Sequence, residues 1–393
     1  MKNTVLAVYA SGHLFSGQRF ASEILVQGLR SRGWDVSVIN TPVLERWTDQ
    51  SNVQKKRALQ TIKLLFAIPF SWLKVYFLGR RKALHLNVGQ TQISLIREGF
   101  VILFHRLSSP NHASVVSLHG SWFLDWEKHS TEAKLLRLIA ERAYRLTVLG
   151  EKQRGKMISL GIPQEKVILM DNTCTLEPLS EQQISLKQNL EPSEGKMPMI
   201  NVLFLSNLIE VKGFISFVEA ILQLSSRQKI SINAILCGKI TIGREKKLKL
   251  QTHKQAKEWI ESKVEEVNSS KTVRLSWVDG AIGMEKENLL KDAHIFVLPS
   301  SQKEGQPLSI IESLASGCAV VTTRVGEIPS TVSEETAVFI DEGSPSAIAE
   351  AILSLAINSS KREQLTLNGL KLFKERFSYE RHIDLWEELL ESL

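Results

Sequence analysis

Short apolar runs, each followed by a loop and a stretch with helical spacing, succeed one another along the chain in two successive sets. The first set opens with Val5–Tyr9, a strand-like run. Gln18–Arg32 then places Phe20, Ile24, Leu25 and Leu29 on one helical face, Gly33 ends that helix, and Val36–Ile39 is the next strand. Strand, glycine-containing loop, helix, strand is a βαβ unit, whose crossover makes the two strands parallel. Further strands are expected at Ala83–Leu86, Ser114–Leu118 and Leu146–Leu149, separated by helical patterns such as Thr131–Tyr144. From Leu176 to Met199 the pattern breaks, and Pro178, Ser180, Pro192, Ser193 and Gly195 read as a linker.

The second set begins at Ile200–Leu205. Helices are expected at Phe214–Leu224, Lys246–Val267, Met284–Lys291, Pro307–Ser316, Pro345–Leu355 and Lys361–Phe373. Strands are expected at Ile230–Leu236, Val273–Trp277, Ile295–Leu298, Ala319–Thr322 and Ala337–Ile340, and Tyr379–Leu393 is an amphipathic tail. The chain has 393 residues, the length of two ordinary domains, and 43% of them are hydrophobic, enough for two cores. The expected fold is therefore α/β, with two Rossmann-like doubly wound domains facing a central cleft. Their bounds are 1–178 and 200–373, with a linker at 179–199 and a terminal helix in 374–393.

Cys174, Cys237 and Cys318 form no CxxC pair, which argues against a zinc site and suits a reducing compartment. The apolar run after Lys2 is shorter than a signal-peptide core and reads as the first strand, so a cytoplasmic protein is expected. The formal net charge is +7, unevenly spread: Ser51–Arg97 holds no Asp or Glu. Within it, 55–82 mixes Lys55, Lys56, Arg57, Lys63, Lys74, Arg80, Arg81 and Lys82 with Phe66, Phe70, Trp72, Tyr76 and Phe77. Two readings stand side by side: a segment on an anionic membrane surface, peripheral on the inner face, or a core helix with a solvated basic face. No apolar run there reaches the roughly 20 residues of a bilayer span.

The segment richest in chemistry is Pro299-Ser-Ser-Gln-Lys-Glu304-Gly305-Gln-Pro307-Leu308-Ser-Ile-Ile-Glu312-Ser-Leu-Ala-Ser-Gly317. A strand ends at Pro299, a polar loop follows, Pro307 suits the first turn of a helix, and Gly317 ends it. The loop therefore opens at the carboxyl end of a parallel sheet, where doubly wound folds bind ligands. A helix N-terminus there offers N–H groups and a positive dipole end to phosphate. Glu304 and Glu312 can accept hydrogen bonds from hydroxyls at two parts of one elongated ligand, such as a sugar and a ribose.

This segment resembles the Glu-x7-Glu signature of the GT4-type (group 1) retaining glycosyltransferases of the GT-B superfamily. The resemblance implies that Glu304 faces the transferred sugar and Glu312 holds the nucleotide ribose, with Gly305, Pro307 and Leu308 against the donor sugar and diphosphate. A second match is Leu203-Phe-Leu-Ser206-Asn207-Leu-Ile-Glu-Val-Lys212-Gly213. The family usually has Arg where this chain has Asn207, so Lys212 carries more of the expected diphosphate charge. A third is Val115-Val-Ser-Leu-His119-Gly120, where the family often has a histidine touching the donor. A fourth is the first loop, in which Gly17 (better than Gly12) would let the backbone approach the donor phosphate. The tail resembles the family's last helix, which crosses back to the first domain.

The resemblance implies a metal-independent hexosyltransferase acting with retention, with catalytic roles for Glu304, His119 and Lys212 and domain closure over the donor. No Asp-x-Asp motif sits at a strand end, so no metal is expected, and no cofactor beyond a nucleotide-diphosphate-sugar co-substrate. The basic segment suits a lipid-linked or growing polysaccharide or lipopolysaccharide acceptor. Competing readings are a GT-B sugar-nucleotide epimerase and a non-catalytic sugar-nucleotide-binding partner of a transferase, the latter favoured by Asn207. A nucleic-acid partner is not expected, since no recognised module accompanies the basic stretch.

Overall fold

The computed structural model describes residues 4–11, 17–42, 53–190, 198–227, 231–243 and 249–392, with the backbone alone at 11, 53–62 and 65. The chain divides into two compact units, residues 1–175 with 377–393, and residues 176–376. Each holds one parallel six-stranded sheet with helices on its faces.

In the first unit the strands are β1 (Thr4–Ser11), β2 (Asp35–Pro42), β3 (Ala83–Asn87), β4 (Ser114–Ser117), β5 (Arg145–Val148) and β6 (Val167–Leu169). The helices between them are α1 (Gly17–Ser31), α2 (Val53–Leu78), α3 (Gln92–Ser108), α4 (Thr131–Arg142) and α5 (Glu151–Ser159). The order is β2-β1-β3-β4-β5-β6, with Thr4 opposite Asp35 and Val5 opposite Ala83. Strand β6 is only three residues long, too short for period-two patterning to mark it in the sequence. Val5, Leu6, Val8, Leu84, Leu86, Val115, Val116 and Leu146 are buried, as strands covered on both faces must be.

In the second unit the helix α6 (Glu181–Gln188) precedes β7 (Met199–Leu205), α7 (Phe214–Ser225), β8 (Ser231–Cys237), α8 (His253–Asn268) and β9 (Val273–Val278). There follow α9 (Gly283–Asp292), β10 (Ile295–Leu298), α10 (Leu308–Ala315), β11 (Ala319–Thr322), α11 (Ile328–Thr331) and β12 (Ala337–Phe339). Helices α12 (Pro345–Ile357) and α13 (Ser359–Leu372) complete it, and α14 (Tyr379–Glu391) belongs to the first unit. The order is β12-β11-β10-β7-β8-β9. The chain leaves β7 toward β8 and β9, then returns to the other side of β7 with β10, so β7 and β10 flank the topological switch point.

Two sequence expectations change. The stretch 179–199 is not linker throughout. Glu181–Gln188 forms α6, closed by a capping box in which Ser180 and Gln183 exchange side-chain bonds to backbone N–H groups. Ile184 is buried, and Gln188 binds Arg362 through both its side-chain oxygen (2.7 Å) and its carbonyl (2.6 Å), so this turn is built into the second unit. The helix expected from Lys246 starts at His253, because Thr252 and Gln255 form a capping box there; 244–248 lie outside the described residues. The stretch 53–78, for which two readings stood open, is one helix with Pro69 inside it.

Helix α14 packs on α1. Its apolar face (Ile383, Trp386, Leu389, Leu390) is buried with Leu25, Leu29 and Trp34. Gly28 permits the close approach: a Cβ there would lie 2.1 Å from Cδ1 of Ile383. At the edge, Trp34 donates from Nε1 to Glu387 at 2.7 Å, and Arg32 meets Asp384 at 2.8 Å.

Candidate functional site

In the second unit the carboxyl ends of β7 and β10 are adjacent, and the loops that leave them are tied together. After β7 comes a 3-10 turn, Glu210–Lys212, ending at Gly213 with φ +84°. A Cβ on Gly213 would lie 2.3 Å from the carbonyl oxygen of Pro299, so glycine serves both the left-handed backbone and the close approach to the loop after β10. From that loop, Ser301 N–H donates to Val211 O at 2.9 Å, and Ser300 Oγ lies 3.2 Å from the same oxygen.

This clasp brings together two sequence-predicted residues. Lys212 Nζ is bonded to Glu304 Oε1, which also accepts from Ser300 Oγ at 2.8 Å. Glu304 is buried. Its backbone is braced from the next crossover: Glu327 N–H donates to Glu304 O at 2.9 Å. Gly326, with φ +56°, passes so close that a Cβ would stand 2.1 Å from that oxygen.

Pro307 is the N-cap of α10, with φ −63°, and no side chain caps this helix. Leu308 begins the helix, Gly305 and Gln306 lie in the loop before it, and Gly317 follows it with φ +62°. Glu312 is four positions into α10, one turn from its start, and buried. It is met by a residue that sequence reasoning missed: Lys286 Nζ, from the first turn of α9, lies 2.6 Å from Glu312 Oε1. Burial pushes the Glu312 carboxyl above its ordinary range, and the Lys286 ammonium opposes that rise. Two buried carboxylates thus each carry one lysine, Lys212 on Glu304 and Lys286 on Glu312. The first pair sits on the loops that leave β7 and β10, and Glu312 of the second lies one turn into the uncapped helix α10. Removing one partner of such a pair costs roughly 3–5 kcal/mol. Asn207 is exposed on the loop after β7, where its carbonyl accepts from Ile209 N–H at 2.8 Å.

Gly17 and His119 belong to the first unit. Gly17 is the first residue of α1; Gly12 lies outside the described residues. His119 follows β4, and its Nδ1 is 3.1 Å from Asn172 Oδ1. It lines a pocket with His85, Asn172, His382 and Trp386. Burial drops His119 to about 4 and His382 to about 4, and His85 to about 3. All three are therefore neutral at physiological pH. His382 Nδ1 is 2.8 Å from Asp171 O, and His85 Nε2 is 2.9 Å from Ser117 Oγ. His85 Nδ1 and Trp386 Nε1 are buried without a hydrogen-bond partner. In the sequence, His85 looked like any residue of a buried strand and His382 like one of a tail helix.

Comparison with known proteins follows the same division. The model of the family described as glycosyl transferases group 1 matches residues 187–372. The capsular polysaccharide biosynthesis glycosyltransferase CapM of Staphylococcus aureus is 37% identical over 97 residues, 24% of this chain and 24% of that relative. The chain's match thus spans about a quarter of that relative's length. Among solved structures, Anabaena Alr3699/HepE in complex with UDP-glucose superposes with a TM-score of 0.69 at 16% identity, over 99% of this chain and 100% of that one. The sucrose-phosphate synthase of Thermosynechococcus elongatus gives 0.65 at 18% identity, over 100% of both chains. At such identities the likeness is one of fold, two Rossmann-like domains of the GT-B type. Residues 187–372, a little under half of the chain, are similar to the glycosyl transferases of group 1.

Proposed function

We propose that this protein is a GT4-like retaining glycosyltransferase that moves a hexose from a UDP-sugar to a glycan acceptor in polysaccharide biosynthesis. The observation that carries this reading is the pairing of Glu304 with Lys212 and Glu312 with Lys286 around the switch point of the second sheet. The UDP-glucose held by the Anabaena protein and the capsular pathway in the name of the staphylococcal relative support the donor and acceptor classes.

In this reading Glu312 accepts hydrogen bonds from the ribose hydroxyls, and Glu304 accepts from hydroxyls of the transferred sugar. Lys212, with the N–H groups and dipole at the start of α10, stabilises the charge that grows on the leaving diphosphate. That set of groups supplies the charge stabilisation without a divalent metal. The sugar C1–oxygen bond to phosphate breaks with its electron pair going to the diphosphate. The acceptor oxygen bonds C1 on the same face, and its proton passes to the departing phosphate oxygen. Neutral His119, held by Asn172, is a hydrogen-bonding group for the donor rather than a cation. Gly17 gives close backbone approach at the start of α1. A lipid-linked acceptor fits the basic 55–82 segment.

Asn207, where the family usually has an arginine, favours one second reading: a non-catalytic sugar-nucleotide binder. The experiment that separates the two is product analysis with UDP-sugars and oligosaccharide or lipid-linked acceptors, with and without a chelator. A glycoside with the donor's own anomeric configuration, formed equally with chelator, supports retaining, metal-independent transfer. Donor binding with no transfer to any acceptor supports the binder.

A further inference from the structure

Helices α2 and α3 lie side by side on one face of the first sheet, and both turn an apolar stripe away from the core. On α2, Ser71 and Val75 are buried, as is Gly79 just after the helix. The opposite side carries Phe66, Phe70, Leu73 and Phe77, of which Phe66 is 75% and Phe77 63% exposed. Their spacing of four, three and four confines them to an arc of roughly 60°. On α3, Leu95, Ile102 and His105 are buried, while Ile93, Ile96, Phe100, Leu103 and Leu107 alternate by three and four on the far side. Ile93 is 73% and Leu107 63% exposed.

The two stripes are in register. At the helix ends, Ser109 Oγ donates to Gly79 O at 2.7 Å and accepts from Arg81 N–H at 3.0 Å. Two turns earlier, Trp72 Nε1 donates to Arg97 O at 3.2 Å, and its ring lies 4.6 Å from that of Phe100. The helices therefore run parallel, and their outer faces form one apolar surface. The outer face of a surface helix is ordinarily polar, and a contiguous exposed apolar patch marks an interaction site.

The exposed charge that α2 and α3 themselves contribute is of one sign, while Glu132 of α4 meets Gln92 at the start of α3. Lys63, Lys74, Arg80, Arg81 and Arg106 are exposed. Between positions 50 and 124 the sole carboxylate is Glu98, which is 1% exposed and bonded to the Arg97 guanidinium. Lys74 Nζ stands 4.8 Å over the Phe70 ring, stem along the apolar stripe and head at its edge. Among the described residues no helix is long and apolar enough to cross a membrane. Exposed aromatic and aliphatic side chains beside exposed cations of the same two helices and their ends match a surface that lies on a bilayer with anionic headgroups.

We propose that the α2–α3 face is a docking surface for an anionic lipid bilayer. The aromatic stripe enters the headgroup region, and the basic rim contacts lipid phosphate. Of the two readings of 55–82, the described side chains of α2, from Lys63 onward, fit both at once: the inner side is core and the outer side is the docking face. The proposal stands on this face alone and does not depend on the transferase reading.

The test is co-sedimentation of the full chain with phosphatidylcholine vesicles, with and without roughly one-third phosphatidylglycerol, at low and high salt. Partition into the anionic vesicles is expected, weakened at least tenfold by high salt and by the Lys63→Ala/Lys74→Ala/Arg80→Ala triple substitution. Phe70→Ser/Phe77→Ser/Ile96→Ser is expected to abolish it while leaving the circular dichroism and melting curve of the protein unchanged. If this variant unfolds, Phe66→Ser with Ile93→Ser, at the two most exposed positions, gives the same reading. Protein that stays in the supernatant with both vesicles overturns the proposal. So does partition that is indifferent to phosphatidylglycerol and to these substitutions. A dimer in sedimentation equilibrium that the same substitutions dissociate would also overturn it, by making a second copy the occupant.

Discussion

The ammonium of Lys286 lies 2.6 Å from Oε1 of Glu312, joining the first turn of α9 to the second turn of α10 across 26 positions of sequence. Glu312 is the residue assigned to the nucleotide ribose, so its charge state sets donor affinity. Burial already raises its pKa, and Lys286 restrains the rise. Replacing Lys286 with alanine should raise the Glu312 pKa further, so that the carboxylate is lost at a higher pH than in the wild type. Calorimetric titration of a UDP-sugar into Lys286→Ala should show roughly tenfold weaker binding, with the deficit growing as pH falls. Lys286→Arg should retain most of the affinity. Wild-type affinity of Lys286→Ala at every pH would remove Lys286 from the site.

Gly326 is where the Glu304 loop is most exposed to a single-atom change. With φ +56° and 2.1 Å between a Cβ and the Glu304 carbonyl, Gly326→Ala must displace that loop. The expected cost is ~2 kcal/mol of stability, read by denaturant unfolding. The expected kinetic signature is a fall in kcat larger than the change in KM, because Glu304 is assigned to the transferred sugar.

Lys212 is assigned to the leaving diphosphate, where charge grows in the transition state. Lys212→Ala should lower kcat by about 10²-fold in steady-state kinetics. Lys212→Met, which keeps the stem and removes the charge, should fall as far. Lys212→Arg should recover part of the loss, as arginine also binds phosphate.

The buried histidines give the protein an acid-labile core. An unfolded histidine takes up its proton near pH 6.5, whereas His382 and His119 are held at about 4 and His85 at about 3. Between those values the unfolded chain binds more protons, so stability rises with pH. The contribution is complete above about pH 6.5 and is lost as pH falls toward 4. For His382 alone it is worth up to ~3 kcal/mol at neutral pH. Urea unfolding from pH 7 to pH 4 should show this decline, and His382→Gln should flatten it.

What the sequence revealed was what sits close together along the chain. Glu304, Pro307 and Glu312 were legible because a loop and one helical turn fix their spacing, and the strands either side are unbroken apolar runs. Lys286 was not, since its partner is reached only once β9 and β10 take their places in the sheet; along the chain it is one charge among several on α9. His85 and His382 were missed for the same reason, being brought together by a strand and a helix from opposite ends of the chain. Helix α6 hid among prolines and serines because its anchors, Arg362 and Gly317, lie far downstream. The outward stripe of α3 went unread because its period is helical whichever way it faces.

The central claim is that the second unit holds a nucleotide-sugar through Glu312 and Glu304. Binding and slow hydrolysis of a panel of sugar nucleotides, wild type against Glu312→Ala, test it most directly. Binding and turnover of one UDP-sugar by the wild type, with both lost in Glu312→Ala while circular dichroism shows that variant still folded at the assay temperature, is the expected result. Failure of the wild type to bind any sugar nucleotide would contradict the account.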